Sequence, residues 1–435
     1  MRTTYPWVSS DNPLRRQFMA MAAKRLLGVS CAGALAGKSL EAIAQAAQAE
    51  SPAGKAKSVI LLYMSGAMSH LDTLDPKPGT SSAGETTTRQ TQLAGVSITD
   101  KMPKLAYLMN RIALVRSMTT ETGAHEQGNY LMHTSYKPLN SIRHPGLGAW
   151  ANHVFDGGSG KLPGNVLVGS AAGHPGAGFL PATIAPVPIP NAQAGLTNTV
   201  GPSYVTEDQF RRRMVLSRKF DSDFRNAYNS HLVEAYDQTY VEAVKLMGST
   251  ELKAFDIKQE KEEVRDFYGA TKIGQGCLLA RRLVQRGVRF VEVEFGGWDH
   301  HNDLYDRLPK MVGELDDAVG ALLYDLIQQG MLNEVLVVLT TEFGRTPDIN
   351  ENRGRDHHPG AFSAFFCGAG IRGGGVYGKS DARGHSVDED PVYPADFNAT
   401  IAAAMGLPLK QEFVAPNGRP FRICNEGSPI TSILA

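Results

Sequence analysis

Two Asp-His-His runs stand far apart in this chain, Asp299-His300-His301 and Asp356-His357-His358, and each comes after an apolar stretch that reads as a strand. Carboxylate plus imidazole is a mixed oxygen and nitrogen donor set, suited to zinc, manganese or iron. Neighbouring histidines point in different directions in any regular conformation, so only one of His300 and His301 can be the ligand. Before them, Gly296-Gly297 lets the backbone turn and Trp298 can shield a site. The plainer reading of Asp299 is a cap on the helix that follows. Glu342 closes another apolar run in "VLTTEFGRTPDINENRGRDHHPG", with Arg345 placed either to bind an oxyanion or to neutralise Glu342.

Two further clusters follow strands. "MSGAMSHLDTLDPKPG" offers Ser69, His70, Asp72 and Asp75. Asp72 is the ligand candidate there, because Asp75 before Pro76 is more simply a turn residue. "SMTTETGAHEQGNY" brings Thr119, Thr120 and Thr122, then His125 and Glu126 at a helix start. Free N–H groups at a helix N-terminus attract anions, so His125 belongs in a site, while Thr122 either acts there or caps the helix.

The elements that must carry these residues alternate. Buried strands are expected at 58–64, 112–118, 165–170, 288–295, 334–341 and 361–371. Helices are expected at 125–138, stopped by Pro138, at 146–155, at 274–287, and at 303–329, where Leu304, Leu308, Val312, Leu315, Val319, Leu322 and Leu326 keep a helical stripe. A last helix spans "PADFNATIAAAMGLP". Alternation of this kind predicts an α/β fold with a largely parallel sheet between helix layers, and ligands then gather beyond the carboxyl ends of the strands. Residues 171–202 are rich in Pro, Gly and Ala, and 206–270 read as a charged helical insertion.

The chain has 435 residues, with 44 Lys+Arg against 44 Asp+Glu, so no basic excess points to nucleic acid. Arg15-Arg16-Gln17-Phe18-Met19 precedes an Ala/Gly-rich stretch and small residues at "AIAQAAQAES". This order reads as a twin-arginine export signal over 1–49, followed by a mature domain over 50–435 in the periplasm or outside the cell. Lys24 and Arg25 interrupt the apolar run, which argues against a membrane span. Twin-arginine export carries folded proteins, which suits a chain that takes up its metal before leaving. No CxxC occurs, which excludes a cysteine zinc cluster; Cys277, Cys367 and Cys424 read as buried thiols, with a disulfide to Cys424 as the other option.

"GAMSHLDTLDPKP", "GGWDHHND", "TTEFGRTP" and "GRDHHP", in this order behind an export signal, resemble the DUF1501 family of exported bacterial proteins over nearly the whole mature chain. That family is similar to the sulfatases and the wider alkaline phosphatase-like superfamily. The resemblance implies a three-layer α/β/α sandwich with metal ions at the strand ends and hydrolysis of phosphate or sulfate esters. It sets His125 where sulfatases carry the cysteine that becomes formylglycine, and Thr134 where a later threonine stands. No cysteine lies near, so formylglycine chemistry is excluded. The superfamily's Asp-His-Gly corresponds to Glu342-Phe343-Gly344. Glu can replace Asp as a ligand but Phe cannot replace His, which implies the loss of one of two metal sites. Asp299, His301 and His358 remain for the other, and Asp72 matches an early acidic ligand.

The expectation is therefore one divalent cation, zinc, manganese or similar, in an exported hydrolase acting on an anionic small-molecule or glycan ester. The catalytic candidates are His125, Thr122 and Arg345, with Arg116 and Arg143 as further anion-binding groups. The rival reading is a catalytically degenerate binding or assembly protein that uses the insertion at 206–270.

Overall fold

The six apolar runs become six strands of one eight-stranded sheet. The computed structural model describes residues 56–155, 162–196, 204–206, 208–216 except 211 and 214, and 249–435. The twin-arginine stretch and much of the 206–270 insertion lie outside these residues. The strands are β1 (Ser58–Tyr63), β2 (Ile112–Met118), β3 (Asn165–Val168), β4 (Val187–Ile189), β5 (Phe290–Glu294), β6 (Val335–Thr340), β7 (Phe362–Gly368) and β8 (Gly375–Tyr377). Their order is β8-β2-β7-β6-β1-β5-β3-β4, with β7 alone antiparallel to its neighbours. β1 lies between β5 and β6, parallel to both, with Tyr63 level with Glu294 and Thr340.

Helices cover both faces, the arrangement that lets strands be apolar on both sides. α1 (Pro103–Leu108), α5 (Lys272–Gln285) and α6 (Leu304–Gln328) share one core with Ile60, Leu62, Val291 and Val337. α2 (His125–Thr134), α3 (Leu147–Val154) and α7 (Pro394–Met405) share the other with Val59, Leu61, Val338 and Phe366. Each fully buried Leu, Val or Phe in these layers contributes roughly 1.5–3 kcal/mol. The remaining short helix, α4 (Glu262–Tyr268), lies beside α5. This is the expected α/β/α sandwich with a mostly parallel sheet.

Several elements differ from expectation. α2 ends at Thr134 rather than near Pro138, because Ser135 turns left-handed (φ 67) and donates its N–H to Leu131 O at 2.8 Å. β3 stops at Val168, where Gly169 takes φ 121. β4 and β8 were unforeseen: β4 contains Pro188, which lacks a ladder N–H and is accommodated on an edge, and β8 is a short, mostly exposed strand at the other edge. Cys277, Cys367 and Cys424 are free and buried. No helix among the described residues is long and apolar enough to cross a membrane.

Candidate metal centre

Loops leaving β1, β2, β5 and β6 converge beyond the sheet's carboxyl edge. The loop after β1 must pass between those after β5 and β6. Gly66 makes this approach possible: its φ is +106, and a Cβ there would fall 2.8 Å from Asp299 N. α2 comes close as well, since a Cβ on Gly128 would meet Phe343 Cδ1 at 3.0 Å and Glu342 Cβ at 3.2 Å. That contact sets His125, in the first turn of α2, over Glu342.

Three imidazoles and one carboxylate meet there. His125 Nε2 is 3.3 Å from Asp299 Oδ2, and His357 Nε2 and His301 Nε2 are 3.2 and 3.1 Å from Asp299 Oδ1. His301 Nε2 and His357 Nε2 are 2.9 Å apart. The opposite ring nitrogens all face acceptors: His125 Nδ1 faces Glu342 Oε1 at 2.7 Å, His357 Nδ1 faces Gly123 O at 2.6 Å, and His301 Nδ1 faces Asp356 Oδ1 at 2.8 Å. Each neutral ring therefore carries its proton on Nδ1 and presents an Nε2 lone pair to the carboxylate. His125 Nε2 is buried with no hydrogen-bond partner. Lone pairs facing carboxylate oxygens repel unless a cation lies between them. Tying Nδ1–H to a carboxylate or carbonyl is the usual support of a metal-bound histidine.

The donor atoms of His125, Asp299 and His357 all lie within 4.8 Å of one another, close enough to share an ion, and His301 flanks them. The residues present therefore fit a divalent metal. The Asp299 side chain is 44% exposed, which leaves one side open to solvent, as in catalytic rather than structural zinc sites.

The surroundings are rigid. Arg345 is 1% exposed and donates from Nε to Ala67 O at 2.9 Å, from NH1 to Arg355 O at 3.0 Å, and from NH2 to Gly66 O at 2.6 Å and to Asp299 Oδ1. Burial alone would raise the Asp299 carboxyl; the Arg345 hydrogen bond and charge outweigh it and hold it at about 2. Burial would likewise raise Glu342, but hydrogen bonds from His125 and Gly66 N lower it. The Glu342 hydrogen bond raises His125 above the ordinary histidine value. Phe343 is fully buried, with its ring 5.0 Å from both His125 and His357, and walls the two imidazoles.

The structure thus brings together His125, Asp299, His301 and Glu342, but several expectations need correction: Glu342, expected as a ligand, faces His125 Nδ1 and Gly66 N instead, and His125, expected as a catalytic group, lies in the ligand cluster. Asp72 does not reach the cluster: its carboxylate is buried against Arg355, with Nε at 2.7 Å and NH2 at 3.2 Å, and accepts from Thr86 and Tyr305. His358 turns away to His385 O, and His357 takes its place, because consecutive residues of the short strand His357–His358 face opposite sides. Arg345 pairs with Asp299 rather than Glu342, and its donors are engaged, so it positions the carboxylate instead of binding an oxyanion. Thr122 donates to Gln127 Oε1 and accepts from Ala124 N, and it does not cap α2, whose N-cap is Ala124. Arg116 is engaged with Leu74 O, Ser97 O and Asp75, while Arg143 is exposed. Asp299 does not cap α6, whose N-cap is Asp303.

A second cluster was not anticipated. His133 Nε2 and His174 Nε2 face Glu292 Oε1 and Oε2 at 3.0 and 3.4 Å, deep between α2 and β5. The acids at alternate positions in "FVEVEF" were the available signal, since Glu292 and Glu294 share one face of β5.

With the geometry described, residues 56–434 match the family described as "Protein of unknown function (DUF1501)". The chain belongs to the DUF1501 family. No protein of curated function matches this DUF1501 chain in sequence. Among solved structures, it is similar to the PsFucS1 sulfatase from Pseudoalteromonas sp., with 14% identity, 91% of this chain and 72% of that one covered, and a TM-score of 0.41. The lipoteichoic acid synthase LtaP from Listeria monocytogenes gives 9% identity, 82% and 74% coverage, and 0.40. Alkaline phosphatase from the Antarctic bacterium TAB5 gives 13%, 82% and 99%, and 0.35.

Proposed function

We propose that this DUF1501 chain is an exported, metal-dependent hydrolase of phosphate or sulfate monoesters. Its single divalent cation, zinc, manganese or similar, would be held by His125, Asp299 and His357, with His301 beside them. The observation that carries the metal is the partnerless Nε2 of His125, aimed at Asp299 from a ring whose Nδ1 is tied to Glu342. A cation so placed supplies Lewis acidity toward an ester oxygen and lowers the pKa of water. The chain's own contribution is order: Glu342 and Asp356 orient two imidazoles, Gly123 O the third, and Arg345 fixes Asp299. Such support keeps donors in place without reorganisation when charge develops on a substrate.

The reading is tested by purifying the full chain, measuring bound metal, and screening 4-nitrophenyl phosphate and 4-nitrophenyl sulfate with added Zn²⁺ or Mn²⁺. Turnover that EDTA abolishes and metal restores supports it. A metal-loaded, folded chain that turns over neither ester, nor any anionic glycan ester in a broader panel, contradicts it. A non-catalytic binding protein is the second reading. It is favoured by His125 in the first turn of α2, the position at which the resemblance to the sulfatases would place the nucleophile.

A further inference from the structure

A hydroxyl held against a carboxylate lies beside the metal centre, in the loop that leaves β1 between β5 and β6. Ser65 follows β1 and Glu294 ends β5, in register across the pair from Tyr63 to Glu294. The Ser65 hydroxyl donates to Glu294 Oε1. The other oxygen, Glu294 Oε2, accepts the N–H of Ser170 at 3.0 Å, so the carboxylate is fixed from the end of β3 as well. Both side chains are only partly buried. Gly296 packs directly over them: a Cβ there would fall 2.7 Å from Glu294 Oε1 and 3.0 Å from Ser65 Oγ, and its absence leaves the pair room. The residue after Ser65 touches the centre itself. Gly66 N–H donates to Glu342 Oε1 at 2.8 Å, the oxygen that His125 Nδ1 also faces, and Gly66 O accepts from Arg345. The hydroxyls nearer His125 in sequence are otherwise disposed: Thr119 donates to Pro359 O, Thr120 is buried without a partner, and Thr122 faces Gln127.

We infer that Ser65 is the attacking hydroxyl of this site and that Glu294 takes its proton, an inference that rests on the hydrolase reading above. Ser65 Oγ bonds to the phosphorus or sulfur of the bound monoester as the ester P–O or S–O bond breaks. The electron pair of that bond goes to the leaving oxygen, which lies opposite Ser65 and takes a proton from water, and the Ser65 proton passes to Glu294. The hydroxide so formed attacks the seryl ester from the side that the alkoxide left, and Ser65 Oγ departs and regains its proton from Glu294. Phosphate and sulfate share this chemistry, and the substrate arms of the test separate them.

The test mixes the full, metal-loaded chain with 4-nitrophenyl phosphate or, separately, 4-nitrophenyl sulfate, quenches within milliseconds to seconds, and maps added mass by peptide mass spectrometry. The expected result is a phosphoryl or sulfuryl group on Ser65 with one substrate. Ser65→Ala loses the mark and more than about 10³-fold in turnover while keeping its bound metal. Glu294→Gln, which keeps the hydroxyl, slows turnover by about 10²-fold or more, also with metal retained, and serves if the alanine variant does not fold. Wild-type turnover in Ser65→Ala, or a mark on another residue such as His125, overturns the inference and leaves the hydrolase reading standing. A metal-loaded wild-type chain with no turnover on any ester overturns both.

Discussion

Helix α2 carries two histidines into two clusters of the same composition, and the clusters have opposite character. His125 meets Asp299 and His357 at the sheet edge; His133 meets Glu292 and His174 beneath it. The difference lies on the far side of one ring, that of His174. At the edge, every Nδ1 faces an acceptor, which leaves Nε2 lone pairs for a cation. In the buried cluster, His174 Nδ1 accepts the Gly176 N–H at 3.0 Å, so its proton must sit on Nε2, toward Glu292. His133 donates Nδ1–H to Asn129 O at 2.8 Å and must also donate from Nε2 to satisfy Glu292. This arrangement favours the charged form of His133. Burial would lower its pKa, but the charge and hydrogen bond of Glu292 outweigh burial and raise it, while Glu292 is held far below the usual carboxylate range. His174, whose Nδ1 accepts a backbone N–H and whose Nε2 must then donate toward Glu292, is what sets the buried cluster apart from the one at the edge.

The largest effect expected is on the buried triad. Glu292→Ala strands a buried imidazolium and costs about 3–5 kcal/mol of stability by denaturant unfolding, with the metal content of the surviving folded chain unchanged. Loss of metal from that variant would merge the two clusters into one site.

A third buried histidine gives a pH test of similar kind. His70 donates to Gly384 O, and burial lowers its pKa to about 4; burial does the same to His144. Because the folded values lie below the ordinary 6.5, the unfolded chain binds more protons between pH 6.5 and 4. Stability is complete above that window and falls as pH drops through it, by about 3 kcal/mol for His70. His70→Phe should flatten its share of the slope in unfolding midpoints measured from pH 7 to 4. An unchanged slope contradicts the neutral buried form.

At the edge cluster, Glu342→Gln keeps the shape but weakens the acceptor of His125 Nδ1–H. Metal affinity by competition with a chelating dye should fall about 10–100-fold. Unaltered affinity would show that Glu342 does not orient a ligand. His174→Asn should be the mildest change for metal, leaving the bound stoichiometry at its wild-type value.

Much of this was legible in the sequence because it is local. Continuous apolar runs marked the strands, and the stripe from Leu304 to Leu326 marked α6. Position after a strand singled out His125, Asp299, His301 and Glu342. What was illegible depends on distant partners. Asp72 reads as a free ligand until Arg355 is seen folded against it, and Arg345 reads as an oxyanion group until its donors are seen engaged by Ala67, Gly66 and Arg355. The choice between His357 and His358 turns on the parity of a two-residue strand, which no periodicity reveals. β4 hid in a Pro-rich stretch for the same reason that it lies at an edge.

Those adjacent histidines give the sharpest experiment. Metal analysis of the full wild-type chain, His357→Ala and His358→Ala, each purified folded without chelators, should find one divalent ion per chain in wild type and His358→Ala and a loss in His357→Ala. A folded wild type without metal, or equal metal in the two variants, would contradict the account.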